Sequence, residues 1–123
     1  MHWVSEALAQ FCQNRGVSVP APVADLIQLE LEALGTLQLE RHGRSVTMWV
    51  ALELPWHMHY QALNRALALT YSRTGPAMAL RCGWVQDNSL LLFITLGERR
   101  VTVPVLEEAL RTLARAREVV LAP

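Results

Sequence analysis

The sequence predicts an α+β fold, an antiparallel sheet with three helices in the order α-β-β-β-α-β-β-α. Three observations predict it. Apolar residues recur at helical spacing near the start, in the middle and at the end of the 123 residues. They alternate with polar ones in the stretches between, and glycine, proline and asparagine punctuate the joins. That length suits one domain, residues 1–123, with a core built without disulfides or a structural metal.

The first helix spans Trp3 to Arg15, with Trp3, Val4, Ala7, Leu8, Phe11 and Cys12 on one side and Gly16 placed to end it in a left-handed cap. The two prolines between Val17 and Pro22 predict an extended connection. From Leu26 to Glu32, Ile27, Leu29 and Leu31 alternate with Gln28, Glu30 and Glu32, as in a half-buried strand. Ala33-Leu34-Gly35 turns into a second strand, Thr36 to Arg41. His42-Gly43-Arg44 turns into a third, marked by Val46, Met48, Val50, Leu52 and Leu54, which Pro55 stops.

The second helix, His57 to Arg73, carries an apolar arc of about 220°, more than one sheet can cover. Gly75-Pro76 breaks it. Met78, Leu80, Cys82 and Trp84 alternate in a fourth strand, and Gln86 to Ser89 make a turn. Leu90 to Leu96 is apolar on both faces and belongs inside the sheet. After a turn at Gly97 to Arg100, the last helix runs from about Pro104 to Val120, capped near Thr102 or Val103. Its buried stripe is Leu106, Ala109, Leu110, Leu113, Ala116 and Val120, and Arg117 falls inside that stripe, where a long side chain can snorkel.

Composition narrows the function. Hydrophobic residues make up 52% and charged ones 18%, so some apolar surface must find a partner. Net charge is zero, with eleven arginines and no lysine spread among the carboxylates, so no basic stripe could track a phosphate backbone and nucleic acid is not the expected partner. No apolar run is long enough for membrane insertion, and the first residues, MHWVSEAL, do not read as a signal peptide; a cytoplasmic location is expected.

The expectation is that the chain is not an enzyme and takes no cofactor. It has no Gly-rich phosphate loop, no nucleophile elbow and no lysine for a P-loop. Cys12 and Cys82 each fall on the apolar side of an element, where a thiol is inert, and their spacing is not that of a redox pair. His57 and His59, two apart on a helix, point in nearly opposite directions and do not make a metal site. What remains is binding: a broad apolar face on the first helix and a second helix apolar on two faces.

Taken together, Phe11-Cys12-Gln13, the run LIQLELEALGTLQLERHG from Leu26 to Gly43, Leu67 to Thr70, Gly83-Trp84 and Val120 to Pro123 resemble the class I chaperones of type III secretion, end to end. The resemblance implies a class I secretion-chaperone-like fold and a heterodimer with a related chaperone of the YscB type. It also implies a YopN-like secreted gatekeeper as client, whose N-terminal segment wraps the pair, and peripheral association with the inner membrane through the secretion apparatus. Carried over, it places Tyr60, Leu63, Leu67, Tyr71, Met78, Leu80 and Trp84 at the dimer interface, and Trp3, Val4, Leu8, Phe11, Ile27 and Leu29 at the client. Members of the class are typically acidic, whereas this chain is neutral. The alternative from another class is a non-secretory α/β adaptor or regulatory dimer binding a folded partner.

Overall fold

The structure, a computed structural model, describes residues 2–32, 34–71, 78–86 and 88–123. Helix α1 (His2–Gln13) ends as its glycine predicts. Gly16 adopts φ +80°, its N–H bonds the Gln13 carbonyl at 2.9 Å, and the Val17 N–H reaches the Cys12 carbonyl at 3.0 Å. The pair of bonds satisfies the last carbonyls of the helix and needs a left-handed residue at the join.

The strands are β1 (Leu26–Leu31), β2 (Gly35–His42), β3 (Ser45–Glu53), β4 (Leu80–Val85) and β5 (Ser89–Gly97). They form an antiparallel sheet in the order β1-β2-β3-β5-β4. As its apolar run predicts, β5 lies inside the sheet, paired with β3 and β4. Register follows the alternation: Ile27 pairs with Leu39, Leu39 with Met48, Met48 with Ile94 and Ile94 with Leu80, so the large apolar side chains line one face. A slip of one residue would turn all of them to the other side.

That face is buried and the opposite one is partly open, with Thr47, Trp49, Leu91 and Phe93 only half covered. Over the buried face lie α1, α2 (His59–Tyr71) and α3 (Val103–Leu121). In α3, Thr102 is the N-cap, its hydroxyl accepting from the Val105 N–H at 3.3 Å, and Pro104 sits in the first turn. Leu106, Ala109, Leu113, Ala116 and Val120 are buried as predicted; Leu110 is only half-buried, and Thr112 joins the core with its hydroxyl donating to the Glu108 carbonyl.

Two elements differ from expectation at their starts. Trp56–Met58 form a short 3₁₀ turn before α2, and Met78 precedes β4 rather than belonging to it. The expected helix end at Ser72 and Arg73, the Gly75-Pro76 break, and parts of two turns at Ala33 and Asp87 lie outside the described residues. Between helices, Arg15 pairs with Glu107 and lies over the Phe11 ring, and Arg65 donates to the Ala122 carbonyl, tying α2 to the end of α3.

Candidate functional site

Helix α2 packs against α3 and β4 with its smallest residues inward. Ala62 is 1% exposed and Ala66 fully buried, whereas Tyr60 is 84% exposed, Tyr71 82% and Leu67 37%. Tyr60, Leu63, Leu67 and Tyr71 follow one another at helical spacing on the outward side. An amphipathic helix of a self-sufficient domain does the reverse, hiding its large apolar residues. Alanines let the α2 backbone approach α3 closely, and the cost is that the larger side chains have nowhere to go within the chain.

The outward face continues across neighbouring elements. Trp56, in the turn before α2, is 80% exposed, and Trp84 on the edge strand β4 is 37% exposed. The His59 ring lies against the Trp84 ring with centroids 4.8 Å apart, and its Nε2 is 2.9 Å from the Leu54 carbonyl oxygen. Between them opens a shallow depression of about 370 Å³ lined by His59, Tyr60, Leu63, Trp84 and Gln86. Aromatic residues around a shallow hollow are what the centre of a protein interface offers.

Not every residue expected at this surface is on it. Met78 and Leu80 are buried: Leu80, opposite Ile94 in the ladder, faces the core, and Met78, just before β4, is 3% exposed. The expected client surface changes more. Val4, Leu8, Phe11, Ile27 and Leu29 are all buried in the chain's own core, where α1 packs against α3 and Arg41 of β2 donates to the Ser5 hydroxyl at 2.8 Å. Trp3 is the member of that set with free surface: it is half exposed, and its indole N–H meets the Glu98 carbonyl at 3.4 Å.

Groups with chemical potential are quiet. Burial pushes the Cys12 thiol up, the nearby Arg15 guanidinium partly opposing it, and burial pushes the Cys82 thiol up as well. Raised thiols are poor nucleophiles. Among the described residues no three His, Cys, Asp or Glu side chains gather as metal ligands, and no helix is long and apolar enough to cross a membrane.

Residues 3–121 match the family described as Type III secretory system chaperone SycN. The chain belongs to the SycN family of type III secretion chaperones. It is 44% identical to the chaperone protein SycN of Yersinia enterocolitica over 123 residues, all of both chains. The fold of this SycN-family chain also resembles solved structures at low identity. A chain of the heterodimeric ExoU-SpcU complex from the type III secretion system of Pseudomonas aeruginosa has a TM-score of 0.67 at 16% identity, covering 92% of this chain and 94% of that one. The Yersinia pestis type III secretion chaperone SycH, in complex with a stable fragment of YscM2, also has a TM-score of 0.67 at 16% identity, covering 94% of this chain and 98% of that one. The chain is thus a chaperone of the type III secretion system by family, and the α+β architecture read from its sequence is that of such chaperones.

Helical periodicity alone left open which apolar face of α2 turns outward, and the resemblance named Tyr60, Leu63, Leu67 and Tyr71, the face that is outward here. Sequence reasoning missed the burial of Gln38, whose alternation with Leu37 and Leu39 resembles that of any solvent-facing strand residue.

Proposed function

We propose that this chain, as one chaperone domain over residues 1–123, is the SycN-like half of a heterodimer with a YscB-like chaperone, and that the pair holds the N-terminal segment of a YopN-like secreted gatekeeper soluble and ready for export. The observation that carries the reading is the inverted helix α2, with alanines inward and Tyr60, Leu67 and Tyr71 outward. Tyr60, Leu63, Leu67, Tyr71 and Trp84 would form the subunit interface, with Met78 and Leu80 behind them. A second chain laid on this face removes several large apolar side chains from water at once, the main driving force of association.

The client would meet the other end of the sheet. There β1 is an edge strand with no strand beyond it among the described residues; Leu26 exposes apolar surface on it, and Trp3, bonded to the Glu98 carbonyl just after β5, exposes more at the same end of the strands. An extended segment can add to such an edge by main-chain bonds while its apolar side chains cover the exposed ones. Such a task needs no catalysis and no cofactor: the segment is kept unfolded and hidden from others like it.

Co-expression with the YscB-like subunit tests the reading. The expected outcome is a one-to-one complex by light scattering, and self-association or poor solubility of the chain alone. A monodisperse monomer that ignores the subunit would refute the pairing. Capture of a folded partner, with no binding of an unfolded segment, would favour an adaptor outside export.

A further inference from the structure

The sheet is forked. The ladder between β2 and β3 stops at the pair Gln38 and Trp49, although β2 begins three residues earlier at Gly35 and β3 runs on to Glu53. Beyond that point β2 stays with β1, pairing as far as Gly35 with Leu31, and β3 stays with β5, pairing as far as Glu53 with Ser89. Over the fork, the facing edges of the two strands have no strand partner among the described residues.

A cavity of about 340 Å³ lies in this fork, its lining including Leu34, Gln38, Trp49, Ala51, Arg117 and Leu121. Two of these side chains are anomalous. Gln38 is 8% exposed and its Oε1 has no hydrogen-bond partner; Arg117 Nε is buried and likewise unpartnered, among the described residues. Buried polar atoms of native proteins are nearly always bonded, so two orphans on one cavity mark a place where something else completes the bonding.

Their chemistry calls for a group that both donates and accepts. Gln38 Oε1 lacks a donor and the Arg117 N–H lacks an acceptor. A carboxylate would serve the arginine and leave the amide oxygen unpaired, and a cation would be repelled by the guanidinium. A trans peptide unit carries one C=O and one N–H pointing to opposite sides, and so can serve both. The terminal torsion of a glutamine side chain is broad, so its amide can turn toward the cavity at little cost. Leu34, Trp49 and Leu121 add apolar wall for a neighbouring side chain, in a volume suited to a residue or two.

We propose that the fork between β2 and β3 is a capture point for an extended polypeptide, one peptide unit donating its N–H to Gln38 Oε1 and accepting from Arg117 Nε at its C=O. The inference rests on the client reading above and adds to it a site inside the sheet, away from the β1 edge and from α2. An extended segment seated there lies between two strand edges that already lack partners, as a client held unfolded would.

The test uses the co-purified heterodimer and a fluorescently labelled N-terminal segment of the YopN-like protein. Gln38→Leu with Arg117→Met removes both orphans while keeping the volumes close. The expected result is a melting temperature as high as that of the unaltered pair or higher, with affinity for the labelled segment lower by about tenfold or more. Unchanged affinity overturns the proposal. Hydrogen exchange on the unaltered pair gives an independent arm that needs no variant to fold: adding the segment should slow exchange in residues 35–37 and 50–53, and unaltered exchange there overturns the proposal too. Failure of the fork alone is recognisable, because the segment then still binds and Trp3→Ala still weakens it. If the unaltered heterodimer does not bind the segment at all, the client reading falls and the fork proposal with it.

Discussion

Helices α2 and α3 lie side by side over the same face of the sheet, yet they are built in opposite senses. Helix α3 hides Leu106, Leu113 and Val120 and turns Arg111, Arg115 and Glu118 to water; α2 hides Ala62 and Ala66 and exposes Tyr60, Leu67 and Tyr71. The first pattern completes the chain's own core, and the second leaves surface that only another molecule can cover. Two neighbouring helices thus separate what holds this chaperone together from what it leaves exposed.

The largest expected effect breaks the α3 side. Leu113 is fully buried, so Leu113→Ala should lower stability by about 2–5 kcal/mol, through lost transfer energy and the cavity left behind. Chemical denaturation of the pair would measure it. Affinity per folded molecule should stay unchanged, and a selective loss of pairing would show that α3 belongs to the interface.

On the α2 side, Leu67→Asp should abolish pairing with the YscB-like subunit, because a carboxylate would be buried against the partner at a cost of several kcal/mol. Since Leu67 is already 37% exposed in the chain alone, its circular dichroism and melting should change little. Gln61→Asp, also on α2 but on its polar arc, should pair normally in size-exclusion chromatography. Equal loss in both variants would mean that the comparison reads helix charge rather than an interface.

Trp3→Ala sharpens the comparison by asking whether α1 resembles α2 or α3. With half its surface free, Trp3 should cost client affinity about thirtyfold, or about 2 kcal/mol, when truncated. Fluorescence titration and a thermal melt together decide: a lower melting temperature at unchanged affinity would make Trp3 a core residue.

The smallest effect is a pH dependence of the core. Burial pushes the Cys12 and Cys82 thiols above the ordinary thiol value. A folded state that holds its proton more tightly than the unfolded chain is favoured fully below the unfolded value and loses that advantage as pH rises through the folded one. Stability should therefore decline above about pH 9. Replacing both cysteines by alanine should flatten the decline in urea titrations between pH 8 and 10, and an unaltered slope would assign it to other groups.

Much of the fold was legible because its signals are local. The alternation of Ile27, Leu29 and Leu31 marks a strand whatever it pairs with, and Gly16 announces a left-handed helix end by lacking a side chain. The surfaces were harder to read. Val4, Leu8 and Phe11 form as good a stripe for a client as for a core, and only the packing of α1 in the folded chain assigns them to the core. Met78 and Leu80 likewise read as interface, yet Leu80 faces the core opposite Ile94 and Met78 is buried just before its strand.

By itself, the sequence determined the element order, the helix end at Gly16 and the turn at Gly43, the apolar face of each strand and the family, because periodicity, glycine placement and colinear similarity need no knowledge of distant neighbours. The tertiary structure alone decided that Val4, Leu8 and Phe11 of α1 go to the core, that Gln38 is buried, and that the sheet forks between β2 and β3. The reason is geometric. Three helices compete for one face of a twisted sheet, and how closely each can approach depends on side chains brought from elsewhere in the chain.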